Sequence, residues 1–204
     1  MFQLKSPSRS AFDPVLVQDP VYLRRAEVGD FQAWACLRQE SRRHLITWEG
    51  DWAPEALQPA AYKRRLKLFA REGQHGRAIS LLIFHRDSRA LVGGITLTNI
   101  RYGAARAATL GYWIGAPYVR QGFGAAAVTA LVGHGVGAIG LNRIEAACQA
   151  DNAASRALLM KCGFALEGSA RDYLRINDEW RDHDLFAITA RDFRNREKPV
   201  LNLR

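Results

Sequence analysis

The segment TLGYWIGAPYVRQGFGAAAV, residues 109–128, joins two kinds of hydrophobic periodicity across a short glycine-rich turn. Its first part is an apolar run of strand length, and the apolar residues after Gly122 recur at the period of a helix. A helix that begins in such a turn presents free backbone N–H groups and the positive end of its dipole. Glycine lets a phosphate approach the backbone closely, and Arg120 adds a cation. The segment therefore predicts a strand, an anion-binding turn and a helix.

The turn carries neither of the two common nucleotide-binding signatures. A dinucleotide-binding fold requires Gly-x-Gly-x-x-Gly after the first strand of a βαβ unit, and a P-loop requires Gly-Lys followed by Ser or Thr. Here Gly122-Phe123-Gly124 is followed by three alanines. These residues alone leave two interpretations open: an anion site, or a pair of glycines that only shapes the start of a helix.

The composition fits one ordinary globular domain with a strong positive charge. Of the 204 residues, 48% are apolar and 24% charged, and 29 basic side chains outnumber 20 acidic ones for a net charge of +9. A chain of this length can bury a substantial core. The charge favours anionic partners, including nucleic acid, ribonucleoprotein or a phosphate-bearing cofactor, without choosing among them.

Cysteine spacing and hydropathy exclude several classes of protein. Cys36, Cys148 and Cys162 form no Cys-x-x-Cys pair and are odd in number, which argues against a zinc site and a disulfide framework. We therefore expect no metal site and a cytoplasmic location. No apolar run reaches the roughly 18 residues of a membrane span, and we expect no signal peptide and no membrane partner.

The periodicities around the opening segment predict one domain in which helices and strands are mixed. Strands are expected at residues 21–25, 78–84, 91–97, 107–114, 143–149, 173–176 and 180–188, and helices at 30–39, 62–71, 122–132 and 152–161. Asn177-Asp178 predicts a tight turn between the last two strands. The aromatic stretch over 44–54 has no regular period and predicts a loop that forms a binding wall. Three prolines predict an extended arm over residues 1–20.

Basic side chains are densest in residues 42–100, where ten basic residues accompany five acidic ones. Part of this excess lies on the predicted helix over 62–71, which contains Lys63, Arg64, Arg65, Lys67 and Arg71. Apolar residues between them predict an amphipathic helix with a basic outer face. A solvated helix face and a docking surface for an anionic neighbour both fit this pattern.

Four motifs in a fixed order carry a resemblance to a known family. After the glycine-rich turn, residues 152–168, NAASRALLMKCGFALEG, resemble the acetyl-CoA-binding core of the GNAT acyltransferase superfamily. Residues 171–183, RDYLRINDEWRDH, resemble the closing hairpin of its ribosomal-protein alanine N-acetyltransferase branch. The segment RHL at 43–45, followed by WE at 48–49, resembles the substrate-side loop of the same branch. The similarity spans roughly residues 21–193.

The resemblance implies an α/β (α+β) fold of the GNAT type. Its mixed central sheet would be flanked by helices and splayed between two parallel strands, here 107–114 and 143–149. The helix after Gly122 would be the crossover that a parallel pair needs. The GNAT domain would occupy residues 21–193, between the arm and a basic tail over 194–204.

The same resemblance implies where the cofactor binds. Acetyl-CoA would lie in the V between the parallel strands, with its pyrophosphate on the amides of 121–125 and its pantetheine arm along the backbone of 112–114. The implied cofactor-binding residues are Tyr112, Trp113, Ile114, Arg120, Gln121, Gly122, Phe123, Gly124, Ala125, Asn152 and Arg156. Val119 departs from the family pattern, because the superfamily usually has Gln or Arg at this position.

The resemblance also implies catalytic roles. A serine at the position of Ser155 approaches the thioester sulfur and can protonate the departing thiolate, while Asn152 holds the pantetheine arm. Helix capping is the alternative role of this pair, since Asn-x-x-Ser suits an N-cap and its third helical residue. Glu49 is the candidate general base, and binding of a cationic amine is its alternative role. His183 beside Asp182 is a second candidate base, with a structural hydrogen bond as its alternative role.

We therefore expect an acetyl-CoA-dependent N-acetyltransferase that acts on the N-terminal α-amine of a protein, with a ribosomal protein as the expected acceptor. Two alternatives stay open: acetylation of a small amine, and a catalytically inactive ribosome- or RNA-associated module, which the basic helix and Val119 favour. A small cationic amine would prefer an acidic pocket, whereas the substrate half of the chain is the most basic. We expect no direct nucleic-acid binding, and either a monomer or a dimer.

Overall fold

The computed structural model of the protein describes residues 9–197. Its strands are β1 (Leu16–Gln18), β2 (Val21–Arg25), β3 (Ile79–His85), β4 (Leu91–Arg101), β5 (Ala107–Ile114), β6 (Arg143–Gln149), β7 (Ala165–Ile176) and β8 (Glu179–Thr189). Its α-helices are α1 (Phe31–Glu40), α2 (Arg42–Glu49), α3 (Pro59–Gln74), α4 (Phe123–His134), α5 (Ala153–Lys161) and α6 (Ala190–Glu197). Residues 1–8 of the expected arm and 198–204 of the expected tail lie outside the described residues.

These strands form one mixed sheet in the order β1-β2-β3-β4-β5-β6-β8-β7. Neighbouring strands are antiparallel except for β5 and β6, which run parallel. The parallel ladder is short, and its three pairs are Ala107 with Arg143, Ala108 with Ile144, and Thr109 with Glu145. Past Thr109 the two strands no longer pair, so the sheet opens into a V. The expected mixed sheet, splayed between these two strands, is confirmed.

Helix α4 is the crossover between the parallel strands and covers the centre of the sheet. Its residues Val128, Leu131 and Val132 are buried in the same core as Leu97 of β4 and Ile144 of β6. Full burial of one such side chain stabilises the fold by about 1.5–3 kcal/mol. This packing fixes the N-terminus of α4 at the mouth of the V.

Residues 44–49 do not belong to the loop that their irregular pattern predicts, because they lie in helix α2. Only Ser41 separates α2 from α1, and its carbonyl accepts a hydrogen bond from the N–H of Leu45 (3.0 Å). Leu45 is buried, and Gly50 at φ +80° ends the helix. An eight-residue helix with a single buried side chain has too few turns to display a period, which is why the sequence pattern does not reveal it.

The described part of the expected arm, predicted as extended or loosely docked, contains a short strand that belongs to the sheet. β1 pairs antiparallel with β2 through Leu16 and Leu23, and through Gln18 and Val21. Ala11 is buried in the main core. The prolines remove any periodicity from this stretch, and the pairing partner that makes β1 a strand lies in β2.

The elements that hold the expected site lie where the sequence predicts them. β5 and β6 span residues 107–114 and 143–149, and α5 begins directly after Asn152. Asn177 and Asp178, with φ +50° and +62°, form the tight turn between β7 and β8. Within residues 9–197, none of the helices has both the length and the apolar character required to span a membrane.

Candidate active site

A cleft of about 1220 Å³ opens where β5 and β6 diverge. Its walls come from the N-terminus of α4, from β5 and α5, and from α2 and α3. A pocket for one drug-sized ligand usually measures about 300–1,000 Å³. The cleft is therefore large enough to hold a cofactor and an acceptor together.

The predicted site residues line this cleft, with the exceptions of Gln121 and Arg156. Gln121 donates from Nε2 to the carbonyl oxygen of Pro117 (2.9 Å). Arg156 forms an ion pair with the buried carboxylate of Asp184, which also accepts a hydrogen bond from Ser169. Both side chains are thus engaged by other parts of the protein, and the structure does not bring them into the cleft wall.

The N-terminus of α4 forms the anion-binding end of the cleft. The first hydrogen bond within the helix runs from the N–H of Ala126 to the carbonyl of Gly122 (3.1 Å), so the amides of the first turn have no acceptor inside the helix. Gly122 adopts φ +86°, and a Cβ added to it would meet no atom within 4 Å. Arg120 lies beside this open turn in the cleft wall. The turn therefore fits a pyrophosphate group.

Gly124, the second glycine of the turn, lies where two helices pack closely. Gly124 faces α5, where an added Cβ would lie 2.7 Å from Cδ1 of Leu158. The missing side chain allows α4 and α5 to pack closely together. Because α5 carries Ser155, this contact also sets the distance between the anion-binding turn and the serine.

One edge of β5 is free along the cleft. Residues 112–114 pair with β4 on one side, through Ile95, Gly94 and Gly93. On the other side the ladder with β6 has already ended at Thr109. The backbone N–H and C=O groups on that side are available to an extended ligand that carries amides, and the pantetheine arm of coenzyme A is such a ligand.

Ser155 is held at the junction of β5 and α5. Its backbone N–H donates to Oδ1 of Asn152 (3.0 Å), so the predicted N-cap forms. Its Oγ lies 2.8 Å from Oη of Tyr112, within hydrogen-bond distance. Burial raises the pKa of Tyr112 above its ordinary value, so the phenol stays neutral. The hydroxyl pair lines the cleft in a protonated, hydrogen-bonded state.

Cys148 lies on β6 in the same part of the cleft wall. Its side chain is buried, and this burial raises the pKa of the thiol. A thiol rather than a thiolate is a weak nucleophile. Burial therefore does not favour nucleophilic attack by Cys148.

Glu49 lies at the end of α2, in the wall formed by the helices. Both of its carboxylate oxygens accept hydrogen bonds from Arg38 of α1, at 2.9 Å and 2.7 Å. The Arg38 guanidinium lies between two indole rings, 4.1 Å from the centroid of Trp52 and 4.9 Å from that of Trp113. Glu49 keeps contact with the cleft, whereas Arg38 lies behind it.

His183 lies on β8, at the other side of the cleft. Its side chain is 3% exposed, and its Nδ1 lies 2.9 Å from the carbonyl oxygen of Arg181. The ring packs at 5.6 Å from Tyr173. The hydrogen bond to the backbone is the structural role that the sequence left open, although the residue also lines the cleft.

The sequence did not reveal two of these functional groups, Arg38 and the hydroxyl of Tyr112. Strand alternation could have found the second one, since Leu110, Tyr112 and Ile114 share one face of β5. Arg38 had no such signal, because its partners Glu49, Trp52 and Trp113 come from separate parts of the chain.

The strands that diverge beside the α4 N-terminus and the free edge of β5 are compatible with the coenzyme A site that the resemblance implies. The chain belongs to the GNAT acetyltransferase family, whose domain model, described as "Acetyltransferase (GNAT) domain", matches residues 21–165. The expected fold, cofactor and enzyme class, an acetyl-CoA-dependent N-acetyltransferase, are thereby confirmed.

Relatives with curated names belong to the same family. The chain is 32% identical to the [ribosomal protein uS5]-alanine N-acetyltransferase of Escherichia coli (strain K12) over 168 residues, which cover 81% of this chain and 87% of that protein. It is also 32% identical over 114 residues to the ribosomal-protein-serine acetyltransferase of the same organism, which cover 56% and 62% of the two chains.

Solved structures agree with these relatives. The structure of Mycobacterium smegmatis RimJ in complex with CoA-disulfide superposes with a TM-score of 0.84 and 30% identity, covering 92% of this chain and 91% of that one. The ribosomal-protein-S5-alanine acetyltransferase of Vibrio fischeri gives a TM-score of 0.81 and 27% identity, covering 92% and 100%. The resemblance to the ribosomal-protein N-acetyltransferase branch is confirmed.

Proposed function

We propose that the protein acetylates the N-terminal α-amine of a protein, and that this acceptor is a ribosomal protein. The observation that carries the proposal is a single cleft that contains the anion-binding turn of α4, the Ser155 hydroxyl and the Glu49 carboxylate. The relatives named for an alanine or a serine of ribosomal proteins support this class of acceptor.

An N-terminal α-amine needs little help from the enzyme to lose its proton. A protein N-terminal amine has a reference pKa of about 8, so about a tenth of it is neutral at pH 7. A lysine side chain has a reference pKa of about 10.4 and is neutral far less often. A weak acceptor for one proton is therefore sufficient for an α-amine, and the cleft does not need a strong base.

Acetyl-CoA, when bound, supplies an activated acetyl thioester. The groups that fit it are the free amides of the α4 turn, Arg120, and the unpaired edge of β5 at 112–114. Gln121 and Arg156 do not reach the cleft wall, and we do not include their side chains in this set.

Ser155 would donate a proton to the leaving thiolate. For this step its Oγ would accept a hydrogen bond from the neutral phenol of Tyr112, which leaves the Ser155 hydroxyl hydrogen for the thiolate. The N-cap uses the backbone N–H of Ser155 and leaves its side chain free. Capping and proton donation are therefore compatible at this one residue.

Glu49 would receive the acceptor amine. Its two oxygens each accept one hydrogen bond from Arg38 and retain lone pairs that face the cleft. The carboxylate can therefore accept a hydrogen bond from an ammonium or amine N–H. His183 would be a further wall of the same subsite.

Two further features suit a ribosomal acceptor. On α3, the side chains of Lys63, Arg64, Lys67 and Arg71 are exposed, while Tyr62 on the opposite face lines the cleft. A basic surface next to the acceptor wall would favour a polyanionic neighbour. The free thiols of Cys36, Cys148 and Cys162 suit a reducing compartment, and we place the reaction in the cytoplasm.

The proposal is tested with purified protein, acetyl-CoA and three acceptors. These are a peptide with N-terminal Ala, the same peptide with a blocked N-terminus and an internal Lys, and a small polyamine. We expect mass spectrometry to find acetylation at the free α-amine and at least tenfold less on the other two acceptors. Preferred acetylation of the polyamine would contradict the protein acceptor, and no transfer to any amine would refute the enzymatic role.

A further inference from the structure

Arg38 is buried beneath the acceptor wall and joins several elements there. Only 11% of its side chain is exposed, against 35% for Glu49, its bidentate partner. Its guanidinium lies between Trp52, which follows α2, and Trp113, which belongs to β5. The Arg38–Glu49 pair thus links the acceptor wall to the strand along which the cofactor is expected.

The charges around Glu49 make this pair important for an incoming amine. Behind the wall, Arg38 of α1 contacts Glu49. Other ionisable groups that line the cleft include His44 from α2, Arg65 from α3, Asp151 after β6, His183 from β8 and Arg25 from β2. Glu49 and Asp151 are the carboxylates of the cleft wall in the part of the chain that the structure describes. Arg38 is the cation that contacts Glu49 directly.

An acceptor site for acetyl transfer has two opposed requirements. A carboxylate orients an amine through hydrogen bonds, but an uncompensated carboxylate within about 4–6 Å favours the protonated form of that amine by about 1–3 pH units. The protonated amine has no lone pair and cannot attack. A carboxylate paired with a guanidinium keeps its hydrogen-bonding lone pairs while its net charge is cancelled.

We propose that Arg38 is a positioning residue that neutralises the acceptor site, so that Glu49 orients the incoming amine without keeping it protonated. This inference rests on the proposed transfer of acetyl to an amine. The guanidinium suits the task because its planar fork matches both carboxylate oxygens and its faces stack on the two indoles. A lysine would supply the charge without the fork.

The test measures kcat against pH for N-terminal acetylation of the Ala peptide by the parent protein and by four variants. Arg38→Met removes the cation that contacts Glu49 and leaves Arg65 as a nearby cation. The alkaline rise of kcat should therefore move up by about one pH unit at most, which is a tenfold loss below the midpoint. The plateau at high pH should stay near that of the parent. Arg38→Lys should move the profile by less.

In the other two variants the pH profile of kcat should either shift in the opposite direction or return to that of the parent. Glu49→Gln leaves the Arg38 cation unpaired, and its profile should move toward lower pH while KM for the peptide rises. The double variant Arg38→Met/Glu49→Gln removes both charges, and its profile should return to the parental midpoint. A merely structural role of Arg38 would lower kcat by the same factor at each pH in all of these variants.

Several outcomes would overturn the inference. An unchanged midpoint in Arg38→Met, or a uniform loss across pH, would do so, as would a double variant that keeps the shifted midpoint. Should Arg38→Met fail to fold, as judged by its thermal transition, the midpoint of Glu49→Gln decides alone, because an unshifted value contradicts charge compensation. A parent protein that acetylates no peptide would instead refute the proposed function.

Discussion

Ser155 makes two separate contacts, one through its backbone N–H and one through its side-chain hydroxyl. The backbone N–H completes the cap of α5 at 3.0 Å from Asn152, and the hydroxyl meets Tyr112 at 2.8 Å. Because burial keeps the phenol neutral, this pair holds its protons across the ordinary working range of pH. The serine hydroxyl is thus held at the wall of the cleft, where the proposed proton donation would take place.

Substitution of Ser155 by alanine should reduce kcat by about a hundredfold, the lower end of what positioned acid–base groups contribute. The affinity for acetyl-CoA should change little, because the cap uses the backbone of residue 155. Steady-state kinetics together with calorimetric binding of acetyl-CoA separate the two effects.

Tyr112→Phe is the matched control for this prediction. It removes the phenol hydroxyl, whose short hydrogen bond to Oγ is worth about 1 kcal/mol, so it should cost about fivefold in kcat. Parental turnover by Ser155→Ala would show that Ser155 is not the proton donor.

At the residue scale, the sequence predicts those groups whose partners are local. Asn152 and Ser155 are three positions apart on one helix, and the amides of the α4 turn follow from its glycines. Arg38 and Glu49 are eleven positions apart on two helices, and the indoles that hold Arg38 are farther away still. Such contacts depend on how elements pack, which a single sequence pattern does not encode.

At the scale of elements, the contact between β4 and β5 positions Trp113 and hence Arg38. Gly93 of β4 pairs with Ile114, and an added Cβ at Gly93 would lie 2.3 Å from the carbonyl oxygen of Trp113. The backbone of β5 cannot move aside as a flexible side chain would. This close approach explains a glycine near the start of a central strand.

Gly93→Ala should therefore destabilise the protein by about 1–3 kcal/mol, as overpacking does. For a chain of this size, each kcal/mol corresponds to a decrease in Tm of about 2–4 °C. Calorimetry measures both quantities. Gly137→Ala is the control, because an added Cβ there meets no atom within 4 Å, and its Tm should not fall. Equal Tm values for both variants would contradict the packing account.

Elements with a strong period could be predicted from the sequence, and elements that rely on a partner could not. β5 and β6 are apolar strands with clear limits, and the helix between them requires that they be parallel. β1 has three residues and exists through its pairing with β2. For α2, one buried side chain is too little to mark a helix.

At the scale of the whole molecule, binding of acetyl-CoA should stabilise the fold by mass action. At a hundred times its Kd, a ligand raises the free energy of unfolding by about 2.7 kcal/mol. For about 200 residues this corresponds to a rise in Tm of about 5–11 °C. Differential scanning fluorimetry with increasing acetyl-CoA measures the effect.

Two substitutions at Gly122 provide the controls for this rise. Gly122→Asp places a negative charge at the open turn, and Gly122→Asn has nearly the same shape without the charge. Both residues tolerate a positive φ, so both unliganded proteins should have similar Tm values. The acetyl-CoA shift should be abolished in the Asp variant and partly kept in the Asn variant. Equal shifts in the two would contradict an anion site at this turn.

The net charge of +9 is also distributed at this scale. Some basic side chains are paired with carboxylates, as in Arg143, whose guanidinium is held by both Glu145 and Glu167. Arg120 lines the cleft beside the α4 turn, and α3 carries exposed cations on the face away from the cleft. Arg120 would suit the polyanionic cofactor, and the α3 cations would suit the proposed anionic neighbour of the acceptor.

The ladder between β5 and β6 has only three pairs, so the backbone of β5 beyond Thr109 lacks a hydrogen-bond partner on that side. A pantetheine arm that pairs with 112–114 would act as a short temporary strand and supply the hydrogen bonds that β6 does not. The backbone amides of 112–114 should then exchange with solvent more slowly when coenzyme A is bound than in the free protein. In this enzyme the substrate would complete the secondary structure that recognises it.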